Sequence, residues 1–185
     1  MIKMSDADAA AHRVQLQFLA AHCRQHSPNS YLEIGTREGD SLRAVLDNSP
    51  TLSRVVCADT WGGEYGGTGR GSHSHIDEIV SRYGNVASFR CLDGDSKLTI
   101  PQISDERFDL ILVDGDHSLD GARADLINVS SLVSPGGFVL LHDICHPAHF
   151  YLSKLFDLWV EENSDAITSS FSSFDGYGFG VARLK

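Results

Sequence analysis

The 185-residue chain has four cysteines but no Cys-x-x-Cys pair, so it encodes neither a zinc ribbon nor a dithiol redox motif. No apolar run approaches the ~20 residues a membrane helix needs. Residues 1–10 lack the apolar centre of a signal peptide. Basic residues are scarce: 15 Lys and Arg stand against 25 Asp and Glu, a net charge of −10. Such a surface repels a phosphate backbone, which argues against nucleic acid as a partner. Internal repeats, low-complexity tracts and linkers are also missing. With 42% hydrophobic and 22% charged residues, the chain reads as globular. At this length it buries roughly 70% of its unfolded surface without staples. The expectation is one domain, residues 1–185, in the cytoplasm, away from any membrane. Its thiols (Cys23, Cys57, Cys91, Cys145) are expected to be buried and inert.

What is present is an alternation of short apolar runs and helical periods. Helices are expected over 5–26, 41–46, 76–83, 119–132 and 147–162, with Ser118 capping the fourth and Pro147 opening the fifth. Strands are expected over 31–34, 54–58, 86–91, 108–113 and 138–141. Two more, 167–171 and 177–184, flank a turn at Asp175-Gly176. Ser134-Pro135-Gly136-Gly137 reads as a turn, and 61–75 as a Gly-rich loop suited to a lid. Alternating strands and helices imply right-handed crossovers and a parallel sheet. The final strand pair, joined by a tight turn, must run antiparallel. The expected fold is therefore α/β: a doubly wound, mainly parallel seven-stranded sheet with helices on both faces. An N-terminal helical segment, 1–27, could pack on this sheet or on a second subunit.

Ligands of such sheets bind beyond the carboxyl ends of the strands. The first strand ends in Glu33-Ile34-Gly35-Thr36-Arg37-Glu38-Gly39-Asp40-Ser41. Two glycines four apart allow a sharp entry into a helix that favours anionic groups. Arg37 stands at the second glycine of the dinucleotide fingerprint, which argues against a nicotinamide cofactor. Glu33 is an acid on an apolar strand, so it either braces the loop or holds a ligand. Asp59 ends the second strand, where an acid can accept from ribose hydroxyls or merely cap a turn. Asp93-Gly94-Asp95-Ser96 follows the third strand and either caps a helix or meets a base edge. The fourth and fifth strands end in Asp114-Gly115-Asp116-His117 and His142-Asp143. If these strands are neighbours, two carboxylates share one edge of a cleft. A shared proton, a basic side chain or a divalent cation must then neutralise them. His117 is placed to take a proton at neutral pH. His73, His75, His146 and His149 are further cleft candidates. The 142/146/149 spacing would allow a separate transition-metal site, but Pro147 interrupts it.

Taken together, Glu33-x-Gly35-x-x-x-Gly39-x-Ser41, Asp59, Asp114-Gly115-Asp116-His117 and Pro135-Gly136-Gly137 with Leu141-His142-Asp143 resemble class I S-adenosylmethionine-dependent O-methyltransferases. These have a Rossmann-like fold, and the resemblance runs from about residue 30 to the C-terminus. It is greatest to small bacterial enzymes related to the macrolide sugar O-methyltransferases, and more distant to catechol O-methyltransferase. The resemblance implies that Glu33, Gly35, Thr36, Gly39 and Ser41 hold the methionine part of S-adenosylmethionine. It implies that Asp59 binds the ribose, with Thr60 and Trp61 beside it, and that Asp93, Gly94, Asp95 and Ser96 lie near the adenine. Asp114, His142 and Asp143 match the ligands of a divalent cation, usually magnesium. His142 departs from the acid or amide found there, and imidazole is the poorer magnesium ligand. His117 falls at the general base. The implied acceptor is a hydroxylated small molecule of sugar or phenol type. The competing readings are a nicotinamide-dependent oxidoreductase and a non-catalytic nucleoside-binding relative.

Overall fold

A computed structural model describes residues 6–62, 71–173 and 177–185. Helix α1 spans Asp6–His26. Then follow β1 (Ser30–Ile34), α2 (Asp40–Asn48), β2 (Arg54–Asp59), α3 (His73–Val80), β3 (Ser88–Asp93) and the short α4 (Ser96–Thr99). The chain continues with β4 (Phe108–Val113), α5 (Leu119–Val129), β5 (Val133–His142), α6 (Tyr151–Glu162), β6 (Ile167–Ser173) and β7 (Phe179–Leu184). Short 3-10 turns occupy Ile100–Ile103 and Pro147–His149. The sheet order is β3-β2-β1-β4-β5-β7-β6. The first five strands are parallel, and β7 is antiparallel to both of its neighbours.

The sheet is doubly wound because its central strands are apolar on both faces. Along β1, Leu32 and Ile34 enter one core layer and Tyr31 the other. The first layer closes under α5 and α6 through Ala122, Leu126, Leu152, Phe156 and Trp159. The second closes under α1, α2 and α3 through Leu19, Leu42, Val45, Ile76 and Ile79. Helix α1 packs on its own sheet: Leu19 is in the core, and Phe18 stacks on Phe179 with ring centroids 5.1 Å apart. Ser118 caps α5 by accepting from Gly121 N–H. Among the described residues, no helix is long and apolar enough to cross a membrane.

Several expectations change. Residues 134–137 are not a turn before the fifth strand but a wide bulge inside it. Val133 pairs with Phe108 and Phe138 with Leu110, so four residues oppose Asp109 alone. Pro135 lacks an N–H, and Gly136 has a φ of 78° that suits glycine, so the ladder can skip them without interrupting the strand. The third strand starts and ends two residues later than expected, which makes Asp93 its last residue. The helix expected over 76–83 instead spans His73–Val80, with Ser72 as its cap. Pro147 opens a separate 3-10 turn rather than α6 itself. Cys23 and Cys57 are buried, whereas Cys91 and Cys145 are only half-buried; β3, which carries Cys91, is a sheet edge. Most of the Gly-rich lid, and the turn at 175–176, lie outside the described residues.

Candidate active site

The strand order reverses between β1 and β4, and the chain there is held by a contact that only glycine permits. Gly35 has a φ of 90°, and a Cβ on it would stand 2.1 Å from the carbonyl oxygen of Asp114. Asp114 N–H donates to Ile34 O at 2.8 Å, and Gly35 N–H to Ala58 O at 2.8 Å. Three strand ends are thereby stitched into one floor. Two adjoining cavities open above it, sharing Gly35, Arg37, Asp114 and Gly115.

The first cavity lies over β1, β2 and β3. Of the expected residues, Gly35, Asp59, Thr60, Gly94, Asp95, Ser96 and Asp114 line it. Asp59 accepts from Arg37 N–H at 2.7 Å and from Trp61 N–H at 2.6 Å. Each of its oxygens keeps a second lone pair for a ligand. Trp61 and Asp93 line neither cavity. The Trp61 indole N–H instead donates to Asp93 at 2.8 Å, and His73 meets the other Asp93 oxygen at 3.0 Å. His75 faces Arg43 at 3.4 Å, away from both cavities. Arg37, Gly62, Gly115 and Asp116 also line it, over Ile34 and Ala58. None of these was expected to line the site: Arg37 had counted only as an obstacle to a nicotinamide cofactor, Gly62 as part of a loop, and Gly115 and Asp116 as part of the motif around Asp114.

The second cavity lies over β1, β4 and β5. Thr36, Ser41, Asp114, His117, His142 and Asp143 line it. Glu33 and Gly39 line neither cavity. Glu33 is wholly buried beneath the floor, where Ser41 Oγ donates to its Oε1 and its Oε2 has no hydrogen-bond partner among the described residues. Burial pushes this carboxyl up to about 8. Gly39 opens α2 at a φ of 79°, against Ile76 and Ile79. The outer wall of the cavity includes His12, Gln15, Leu16 and Leu19 of α1. Sequence reasoning missed these, because a helix that packs on the sheet and also overhangs the strand ends shows only one periodicity.

Register explains the cluster inside this second cavity. Val113 pairs with Leu141, so Asp114 and His142 lie side by side. His142 Nδ1 is 2.6 Å from Asp114 Oδ1 and 3.2 Å from Asp143 Oδ1. His117 Nε2 is 3.1 Å from Asp114 Oδ1, and its Nδ1 is 3.7 Å from Asp143 Oδ2. Two imidazoles thus bridge two carboxylates. Burial alone would push Asp114 up. The charges and hydrogen bonds of His142 and His117 outweigh it and hold Asp114 well below the usual carboxylate range. Burial alone would likewise lower both imidazoles, but Asp114 reverses this, raising His117 and taking His142 to about 9. Tyr151 Oη donates to His117 O at 2.9 Å and fixes the turn. The donor atoms of Asp114, His117 and His142 lie within 4.8 Å of one another, and so do those of His117, Asp143 and His149. Either set suits a divalent ion that accepts nitrogen better than one that demands oxygen alone. His146 stands outside both sets, its ring against Tyr177 with centroids 4.3 Å apart.

This geometry can be set beside known proteins. A family model described as a methyltransferase domain matches residues 32–144. The chain belongs to that family. Its fold is the Rossmann-like class I methyltransferase fold. The chain is similar to the S-adenosylhomocysteine-bound methyltransferase PaMTH1 of Podospora anserina, with a TM-score of 0.68 and 18% identity over 98% of this chain and 89% of that one. An O-methyltransferase of Bacillus cereus in complex with S-adenosylhomocysteine gives a TM-score of 0.65 and 17% identity, covering 100% of this chain and 93% of that one. MycE, a methyltransferase of the mycinamycin biosynthetic pathway in complex with Mg and S-adenosylhomocysteine, gives 0.63 and 16%, covering 99% and 56%. At these identities the likeness shows the fold. No curated protein matches the chain by sequence.

Proposed function

We propose that this methyltransferase moves the methyl group of S-adenosylmethionine to a hydroxyl of a small sugar- or phenol-type acceptor. The observation that carries the reading is the junction of the two cavities at Asp114–Gly115, with the imidazole of His117 within 3.1 Å of Asp114. The first cavity offers Asp59 to a ribose and residues 94–96 to an adenine. The second offers Ser41 and Thr36 to the amino-acid end, and the His–Asp cluster to the acceptor. The B. cereus relative is an O-methyltransferase, and a hydroxyl acceptor fits a site rich in proton-accepting groups.

The sulfonium methyl is already activated, so the protein mainly aligns the two reactants. His117 takes the hydroxyl proton as the oxygen approaches the methyl carbon, an effect typically worth ~10²–10⁴-fold. For this His117 must be neutral, and the acceptor must displace it from Asp114. Of the three cation ligands expected from the sequence, Asp114 and His142 fall together in one donor set and would hold a divalent cation, whereas Asp143 falls in the other set, with His149. When bound, that ion supplies Lewis-acid polarisation of the acceptor oxygen. MycE carries magnesium, but the imidazole of His142 favours an ion that tolerates nitrogen.

Calorimetry with S-adenosylhomocysteine and NADH, followed by incubation of labelled S-adenosylmethionine with a polyol and catechol panel, tests the reading. Binding of the first ligand alone and label on an oxygen are the expected results. Label on nitrogen or carbon would overturn the hydroxyl assignment. Transfer indifferent to EDTA would remove the cation.

A further inference from the structure

Helix α5 turns an apolar face to the sheet, through Ala122, Leu126 and Val129, yet in the middle of that face stands Asp125, with no exposed surface. A carboxyl there opposes folding unless it is fully bonded, and an apolar side chain would serve the packing better. Only one of its oxygens is satisfied. Ser96 Oγ donates to Oδ1 at 2.6 Å, and Oδ2 has no hydrogen-bond partner among the described residues. The second oxygen lies under the cavity floor: a Cβ placed on Gly115 would come within 3.3 Å of it. Ser96 and Gly115 belong to different turns, after β3 and after β4, and both line the first cavity. Asp125 itself does not line it. Burial, with Asp95 and Asp116 nearby, pushes its carboxyl up to about 6 against the opposing pull of Ser96 and Lys97.

We infer that Asp125 is a positioning residue that ties the turn after β3 to the turn after β4 and so sets the edge against which the adenine is read. This rests on the S-adenosylmethionine reading of the first cavity. The hydrogen bond fixes where Ser96 stands, and Ser96 carries Asp95 and Gly94 with it. A Cβ on Gly115 would meet Ile34 Cγ2 at 3.0 Å and this carboxyl at 3.3 Å, so Asp125, together with Ile34, crowds the opposite side of the slot. A misplaced turn loses the base edge first, while the ribose contact at Asp59 stays.

The test is calorimetry of wild type, Asp125→Asn, Asp125→Ala, Ser96→Ala and the Asp125→Ala/Ser96→Ala double variant. Two probes are used: S-adenosylhomocysteine and S-inosylhomocysteine, which differ only on the base edge. Loss of a charge-assisted bond predicts about ten-fold weaker S-adenosylhomocysteine binding in Asp125→Ala. The preference for adenosyl over inosyl should collapse with it. The double variant should be no worse than the worse single one, because both remove the same contact. Asp125→Asn, which still accepts from Ser96, should recover most of the preference. Thermal unfolding shows which variants are folded. A merely structural role would weaken both probes alike and leave their ratio intact, which overturns the inference, as do unchanged affinities. A wild-type chain that binds neither probe removes the cofactor reading, and this inference with it.

Discussion

At the ends of β1 and β2, Glu33 and Asp59 face a buried hydroxyl or main-chain N–H groups; at the ends of β4 and β5, Asp114 and Asp143 face imidazoles. Asp59 takes two backbone N–H donors, and Glu33 takes the Ser41 hydroxyl and is pushed up to about 8 by burial. Asp114 and Asp143 instead share His117 and His142, and Asp114 is held ionised. The first half offers a ligand fixed main-chain geometry around Asp59. The second concentrates charge and mobile protons within a few ångströms, which suits the proposed transfer to a hydroxyl. The close approach of Gly35 to the Asp114 carbonyl lies where the halves meet, and it is the place to break them apart. In Gly35→Ala the new Cβ would meet a main-chain oxygen that cannot rotate away, at a positive φ. We expect a loss of about 3–5 kcal/mol of stability by urea unfolding. An unchanged midpoint would mean that the loops do not touch there.

A variant of the second half should spare the first. His117→Ala is expected to lower kcat by ~10²–10⁴-fold, with the S-adenosylhomocysteine dissociation constant at the wild-type value. Equal turnover would remove His117 as the base. Weakened S-adenosylhomocysteine binding would show that the two halves are not separable. The converse variant, Asp59→Ala, leaves the imidazoles alone. It should weaken S-adenosylhomocysteine by about 10–100-fold, the worth of hydrogen bonds to a charged group. Calorimetry at wild-type strength would place the ribose elsewhere.

The two halves were unequally legible in the sequence. Strand ends were readable because each closes an apolar run with an acid: Asp59, Asp114 and Asp143 all fall within a residue or two of the sheet's carboxyl edge. Neighbouring strands could be anticipated, but not their register, so the sequence left the neutraliser of Asp114 and Asp143 open among a proton, a base and a cation. The register of β4 on β5 puts His142 there. Glu33 was ambiguous for a different reason: strand alternation says that it is buried, not which loop folds over it. Asp93 and Trp61 look alike as ligand contacts and as partners, and in the fold they bond each other. The contribution of α1 was hidden altogether, since the overhang of Gln15 toward Asp143, at 3.4 Å, depends on a contact 128 residues distant.

The smallest effect distinguishes the halves by their protons. A carboxyl raised in the fold keeps a proton that the unfolded chain has already lost, so its stabilisation fades as pH rises from about 4.5 to about 8 for Glu33. An imidazole raised in the fold behaves alike: His142 stabilises fully below 6.5 and loses this as pH climbs to about 9. Between pH 6.5 and 8 both act in one direction, and His117 adds to them. The histidines lowered by burial, His22 foremost, act only below that window. Without ligand, stability should therefore fall with rising pH across 6.5–8. Glu33→Gln should remove about one proton's share of the slope, ~1.4 kcal/mol per pH unit. It should leave the part due to the imidazoles. Urea midpoints at half-unit steps measure this. A slope identical in wild type and Glu33→Gln would mean that Glu33 is ionised in the fold. The first half would then hold a buried charge, as the second does, and the contrast between them would disappear.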